Sequence, residues 1–479
     1  MQNIKKKLSI HGHFYQPPRL DPMIMKYRDD DAVVAWSQGK FRNWNEAINA
    51  ECYKPNADLG NFDLISFDMY RSLAQWLCEY DRSTYDKIIN ADKHNFITYG
   101  YGNAIGYAYD HAILPLLGEE DIELEVAWGM ADFFKRYGHM PVSLWLPETG
   151  VDLKTLRILG KYGIRFVILA PWQVDTEGKQ LDVSTLYKCS LGHGKVMNIF
   201  VYDGELSGDL SFNNVQMADA NKYVSEYLPG AIHNDFSLAA TDGERYGHHL
   251  KGGEHFLKQM LRDLFNNSSI ETANVVQEFF NSQSTESIKI FDNSAWSCHH
   301  GGLKRWQGDC DCSYDDTHGV RTNGYWKTAL LSAFRVLSAQ MELYLSEYAK
   351  IMISDLRILK LEYIHVMQGE IDFTVFIENH LIRPVTFEEE RKLKALLDMQ
   401  QYRLAMFTSD AFYFADLDRP ESRINIQNAK KALSLLKDIG EIELMERLQK
   451  DFLHQIEEIY SNFTGKNGKD LYYEDGISL

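Results

Sequence analysis

This sequence predicts an α/β fold: a closed or nearly closed β/α barrel followed by a mostly helical C-terminal domain. Three observations point there. Over the first 300 residues, short apolar runs alternate with amphipathic stretches, as the strand–helix units of a parallel sheet do. Carboxylates, histidines and tryptophans gather immediately after several of those runs, which is the C-terminal rim where such barrels build their sites. A doubly wound sheet would gather them at only one or two switch points. From about residue 325 the pattern becomes helical, polar on the outside and apolar on one face.

The elements follow in order. Leu8-Ser9-Ile10 reads as a short strand ending in His11-Gly12-His13. Leu73, Trp76, Leu77 and Tyr80 recur at three- and four-residue spacing and predict a helix over 69–90. Phe96-Ile97-Thr98-Tyr99 reads as a strand running into Gly100-Tyr101-Gly102-Asn103. Ile122, Val126, Met130 and Phe133 predict a helix over 119–137. Val142 to Leu146 is a strand ending in Pro147-Glu148, followed by a helix at 152–162 and a strand at 164–170. Val196 to Tyr202 leads into Asp203-Gly204-Glu205, and Phe236 to Thr241 into Asp242-Gly243-Glu244. Beyond the barrel, Leu330, Phe334, Leu337, Met341 and Tyr344 predict a helix over 329–346. Leu444, Leu448, Phe452, Ile456 and Tyr460 repeat every four residues as one helix face. The organisation predicted is a barrel over 1–310, a helical domain over 311–465 and a tail over 466–479.

Composition narrows the function. The 479 residues carry 50 basic and 68 acidic side chains, a formal net charge of −18. That balance argues against nucleic acid and anionic membranes as partners, and is compatible with a neutral substrate. No apolar run long enough for a spanning helix occurs, and Lys5-Lys6-Lys7 is not followed by a run of signal length. Six cysteines are too few for a disulfide scaffold, which predicts reduced thiols in a cytoplasmic protein. Aromatic residues make up 13%. They suit a sugar-binding cleft, and equally the filling of a core.

Three constellations carry chemistry. Glu148 and Asp242 each stand just past a short apolar strand, beside Pro147 and Gly243 respectively. Two carboxylates on one rim can divide the work of glycoside hydrolysis, one ionised and one holding a proton; they can also simply cap the following helices. The second constellation is histidine: His11, His13, His111, His248, His249, His299 and His300. A His-x-His after a strand can bind a divalent metal or hydrogen-bond sugar hydroxyls, and loop histidines can also be merely exposed. The third is the segment 295–326, with Trp296, Cys298, His299, His300, Trp306 and Cys310-Asp311-Cys312. Its C-x-C spacing with one distant cysteine is poor for zinc, which favours paired C-x-x-C. The segment fits a lid or wall of a cleft with Trp296 and Trp306 as stacking surfaces, or a plug between domains.

Taken in order, these motifs resemble glycoside hydrolase family 57. His11-Gly12-His13-Phe14-Tyr15-Gln16-Pro17-Pro18 is similar to its first conserved region, Trp145-Leu146-Pro147-Glu148 to its third, Thr241 to His249 to its fourth and Ala295 to Trp306 to its fifth. The resemblance implies a seven-stranded β/α barrel, a helical domain that helps close the cleft, and retaining chemistry on α-glucans or related α-glycosides without an obligatory metal. It implies Glu148 as nucleophile and Asp242 as general acid/base. Its substrate-contacting residues would be His11, His13, Gln16, Trp145, Trp172, Glu244, His248, Trp296, His300 and Trp306. This chain departs from the pattern at Phe67 to Arg71, at Pro171-Trp172-Gln173 and at Thr408 to Phe412, all outside the catalytic pair.

The reading expected is therefore a retaining glycoside hydrolase or glycosyl-transferring enzyme, with an oligo- or polysaccharide partner, no cofactor, no metal and an open oligomeric state. Two alternatives stand beside it. One is a metal-dependent polysaccharide deacetylase-like hydrolase, with His11, His13 and Asp242 as ligands. The other is a carbohydrate-binding relative without catalysis. The tract Met406 to Phe414 is expected to help shape a subsite.

Overall fold

A computed structural model describes residues 5–474 except 233, 268, 285, 299, 301, 316 and 317. The chain forms two compact units. The first comprises Met1–Gln16, Ala32–Tyr109 and Asp132–Ser297, the second Pro17–Asp31, Asp110–Ala131 and Cys298–Leu479. The division thus falls between Ser297 and Cys298 rather than at 310. Two earlier segments fold with the C-terminal unit, which a division into continuous blocks of sequence does not anticipate.

Among the strands of the first unit are seven that bear on the site: β1 (Lys6–Phe14), β2 (Ser66–Met69), β3 (Gly106–Tyr107), β4 (Leu144–Trp145), β5 (Phe166–Leu169), β6 (Lys195–Val201) and β7 (Phe236–Asp242). Parallel pairings among these seven follow chain order, while Ile270–Thr272 also pairs the start of β1 and Glu286–Ile290 pairs Leu186–Gly192. β1 pairs β2, with His11 opposite Ser66 and His13 opposite Asp68. β2 reaches the start of β3 through the Phe67–Ala104 bridge, β3 pairs β4, and β4 reaches β5 through Ser143–Phe166. β5 pairs β6 and β7 pairs β1, placing His13 opposite Asp242. Just past β6, the Asp203 N–H donates to the Leu238 carbonyl of β7 at 2.7 Å. The sheets are mixed, because Leu186–Gly192 runs antiparallel to β6.

β1 is buried along its last seven residues, as a strand covered on both faces must be. Its period of two puts Leu8, Ile10 and Phe14 on one face and Ser9, His11 and His13 on the other. The apolar face packs into the core through Phe14, whose ring lies 4.8 Å from that of Phe62. The polar face is left to build a site. Gly243, after β7, has no substitute: a Cβ there would meet the Phe14 ring at 2.5 Å.

The predicted helix over 69–90 is two helices, Arg71–Tyr80 and Arg82–Tyr99, divided at Asp81, whose side chain caps the second by accepting from the Thr84 N–H. Phe96 to Tyr99 is the last turn of that second helix and not a strand. Its aromatic and β-branched residues favour a strand locally, but burial of Tyr85, Ile88, Ile89 and Asp92 at helical spacing prevails. Gly100, at φ 80°, ends the helix.

In the second unit, helices Tyr325–Ala349, Phe387–Ala405, Pro420–Asp438 and Ile442–Ile456 bury apolar faces; Phe334 and Phe452 stack with ring centroids 5.8 Å apart. Arg403 is buried and forks onto the Asp121 carboxylate at 2.5 and 3.1 Å. The expected tail at 466–479 is helical over Gly468–Tyr473, because Asn467 and Asp470 form a capping box and Leu471 and Tyr472 are buried. The last five residues lie outside the described range. Among the described residues no helix is long and apolar enough to cross a membrane.

Candidate active site

The polar face of β1 meets the end of β2 through one carboxylate. Asp68, fully buried, accepts from His11 Nε2 at 3.0 Å and from His13 Nδ1 at 2.8 Å, while His11 Nδ1 faces Ser66 Oγ at 3.1 Å. Burial pulls both imidazoles toward neutrality. At His11 burial prevails and the pKa is lowered. At His13 the Asp68 carboxylate, helped by the charges of Asp242 and Glu148, offsets burial and raises it. Trp145, at the end of β4, is buried against both rings, 4.6 Å from His11 and 5.4 Å from His13 between centroids.

Glu148 stands three residues past β4 on a tight turn. Pro147 leads into it, and Glu148 and Thr149 take φ values of 55° and 49°, a left-handed conformation that costs a non-glycine residue about 1–3 kcal/mol. The turn is held from outside. Thr149 Oγ1 donates to Gln173 Oε1 and Gln173 Nε2 donates to the Thr149 carbonyl, both at 2.8 Å. The Glu148 carboxylate accepts from Trp296 Nε1 at 3.0 Å and Ser297 Oγ at 2.6 Å, both on the same oxygen, Oε2.

Asp242 closes β7 with a half-exposed side chain. Desolvation pushes its pKa up, but hydrogen bonds from His249 and from the Glu244 carboxyl, with the charge of His13, outweigh it and hold the carboxylate below its usual range. His249 Nε2 lies 3.4 Å from Asp242 Oδ2. Glu244 is the opposite case: burial and the neighbouring Asp242 charge push it well above the normal range. It accepts from Tyr53 Oη at 2.5 Å and the Tyr15 N–H at 3.3 Å. Asp242 and Glu244 titrate as a coupled pair, in which burial and the Asp242 charge favour the proton on Glu244.

The remaining expected residues divide. Trp172 is 39% exposed, and its indole N–H donates to the Ala295 carbonyl at 3.0 Å. Gln16 is buried; its backbone carbonyl accepts from Ser72 Oγ at 2.6 Å. His248 bonds Glu51 at 2.7 Å, so it is the adjacent His249 that reaches Asp242. Glu244 is 3% exposed, a partner of Asp242 rather than an open sugar contact. Trp306 belongs to the second unit, 0% exposed, with its ring 6.4 Å from Tyr413. That is a packing position and not an open stacking surface. His111 also lies in the second unit, bonded to Ser409 Oγ at 2.7 Å. His299 lies outside the described residues. His300 belongs to a different group: with Cys298, Cys310 and Cys312 it offers ligand atoms all within 4.8 Å of one another. Their spacing along the chain is poor for zinc, and folding nonetheless brings the four together.

Sequence reading missed Asp68, Tyr53, Gln173 and Ser297. The strand-end position of Asp68 was the available signal. The arrangement sets one carboxylate, Glu148, on a tight turn and a second, Asp242, at the strand end opposite His13, coupled to the buried Glu244.

A family model described as glycosyl hydrolase family 57 matches residues 8–290, and one described as a domain of unknown function, DUF3536, matches residues 323–476. A stretch of 93 residues is 36% identical to a 1,4-alpha-glucan branching enzyme of Thermococcus kodakarensis, covering 18% of this chain and 14% of that enzyme's length. Among solved structures, an exo-type maltose-forming amylase from Pyrococcus sp. ST04 superposes with a TM-score of 0.72 at 17% identity, over 93% of this chain and 82% of that one. The Thermococcus kodakaraensis branching enzyme gives 0.60 at 14%, over 93% and 94%. The alpha-amylase AmyC of Thermotoga maritima gives 0.56 at 14%, over 99% and 100%. At these identities the likeness is one of fold.

Proposed function

The chain belongs to glycosyl hydrolase family 57, and on that premise we propose that it is a retaining enzyme cleaving or transferring α-glucosidic linkages of oligo- or polysaccharides. One observation carries the reading. The strand register sets His13 opposite Asp242, and Glu148 is held by Trp296, whose ring lies 6.0 Å from that of His13, so both carboxylates are tied to the polar end of β1.

In this reading Glu148 attacks the anomeric carbon, forming the C1–O bond of a glycosyl-enzyme as the glycosidic C–O bond breaks. Trp296 and Ser297 hold the attacking carboxylate in place. The proton of the coupled pair passes from Glu244 through Asp242 to the leaving oxygen, which leaves Asp242 ionised. Ionised Asp242 then removes a proton from water, giving hydrolysis, or from a sugar hydroxyl, giving transfer. The raised pKa of His13 favours a positive charge near both carboxylates, which would limit their mutual repulsion. The two histidines of the deacetylase alternative turn ring nitrogens toward Ser66 and Asp68, which favours the glycosidase reading. The chain-order pairing of β1 to β7 supports a (β/α)7 barrel, with the C-terminal helical region as a separate domain. The α-glucan-active relatives and neighbours support the substrate class. Six free cysteines are in keeping with a cytoplasmic setting.

The test is incubation with maltooligosaccharides and a panel of galactosides, comparing the native chain with Glu148→Gln. Turnover of a glucan by the native chain alone supports the proposal. Turnover of neither panel, or equal turnover by both proteins, removes it.

A further inference from the structure

Immediately after Ser297, the chain enters a segment that returns on itself and gathers three thiols and an imidazole. Cys298 and Cys310 are buried, with sulfurs 3.7 Å apart, and His300 Nδ1 lies 3.1 Å from Cys312 Sγ. All four ligand atoms fall within 4.8 Å of one another, and the cysteines are free. In a tetrahedral site with zinc–sulfur bonds of about 2.3 Å, neighbouring sulfurs stand about 3.8 Å apart, which is the separation found here. The backbone supports the cluster: the Ser313 N–H donates to the Cys310 carbonyl at 2.8 Å and the Tyr314 N–H to that of Cys312 at 2.9 Å.

We propose that Cys298, His300, Cys310 and Cys312 form a structural zinc site. Three thiolates and one neutral imidazole are a ligand set that zinc takes in closed tetrahedral sites. Four protein ligands leave no open position, so the ion holds the segment and does no chemistry on substrate. Binding forms three Zn–S bonds and one Zn–N bond and releases the three thiol protons to solvent. Zn²⁺ with three thiolates carries a net charge of −1. Two basic side chains lie near enough to balance it. Lys327 is buried, lies within electrostatic range of all three cysteines and donates to the Arg305 carbonyl at 2.8 Å; Arg305 lies within range of Cys312.

The site also explains a connection in the chain. Ser297 grips the Glu148 carboxylate, and the next residue, Cys298, would be fixed to the metal. The ion would therefore anchor the strand of chain that supplies Trp296 and Ser297, whatever the substrate of the carboxylates.

The full-length chain, purified under reducing conditions and dialysed against a mild chelator, should retain one equivalent of zinc by elemental analysis. Cys310→Ser/Cys312→Ser should fall to background. Replacement by Co²⁺ in the native chain should give thiolate-to-cobalt charge-transfer absorption and the strong visible bands of tetrahedral cobalt, a readout that does not depend on any variant folding. A native chain that holds no zinc after loading, a double variant that keeps its full equivalent, or an octahedral cobalt spectrum would each overturn the proposal. None of these readouts involves glycoside turnover, so the zinc site and the proposed activity stand or fall separately.

Discussion

Trp296 binds Glu148 twice: its indole N–H donates to the carboxylate Oε2 at 3.0 Å and its backbone N–H to the Glu148 carbonyl at 3.1 Å. One residue thus fixes both the side chain and the strained backbone of the proposed nucleophile. Replacing Trp296 by Phe removes the indole donor and leaves the backbone bond. A hydrogen bond to a charged group is worth about 1.5–3 kcal/mol, so kcat should fall about 10- to 100-fold with little change in KM. Steady-state kinetics on the substrate found in the panel measures it. A fall in KM-controlled affinity with kcat preserved would mark Trp296 as a sugar platform only.

Glu244→Gln tests the shared proton. The native pair keeps its proton to high pH because the raised Glu244 pKa carries it. Glutamine still donates to Asp242 but cannot transfer a proton, and Asp242 then titrates alone from its lowered position. The alkaline limb of kcat/KM should move to lower pH by about one unit or more. An unmoved limb would place the acid elsewhere.

Asp68→Ala leaves the raised His13 imidazolium buried without its main partner. The expected cost is about 3–5 kcal/mol, read by denaturant unfolding. The sign with pH follows from the direction of the shift. The folded pKa of His13 is above its unfolded value near 6.5, so the pair's contribution is complete below that value. It is lost as pH rises through the folded value. The difference between native and variant should therefore shrink on going alkaline; a constant difference would mean Asp68 acts by packing.

Much of this was legible in the sequence, for reasons that particular residues show. β1, β4 and β7 announce themselves because a short apolar run ends abruptly in His11-Gly12-His13, Pro147-Glu148 or Asp242-Gly243. Asp68 ends a strand too, but Phe67-Asp68-Met69 has no turn residue to mark it, and only the β1–β2 register sets it opposite His13. Phe96 to Tyr99 misleads because strand propensity in four residues says nothing of the eighteen-residue helix it completes, whose cap is Asp81. Trp306 carries an aromatic signal that suits sugar and core alike, and burial decides for core. His300 escapes the zinc pattern because its distance from Cys312 is twelve residues along the chain and 3.1 Å in space.

The covalent step is where the account is most exposed. The native chain should be incubated with a fluorinated glucosyl donor that forms the glycosyl-enzyme faster than it releases it, then digested and analysed by mass spectrometry. The predicted result is one sugar equivalent on the peptide containing Glu148, absent in Glu148→Gln, with retention at the anomeric centre when natural substrate turns over. A product of inverted configuration, or a label on any other carboxylate, would contradict it.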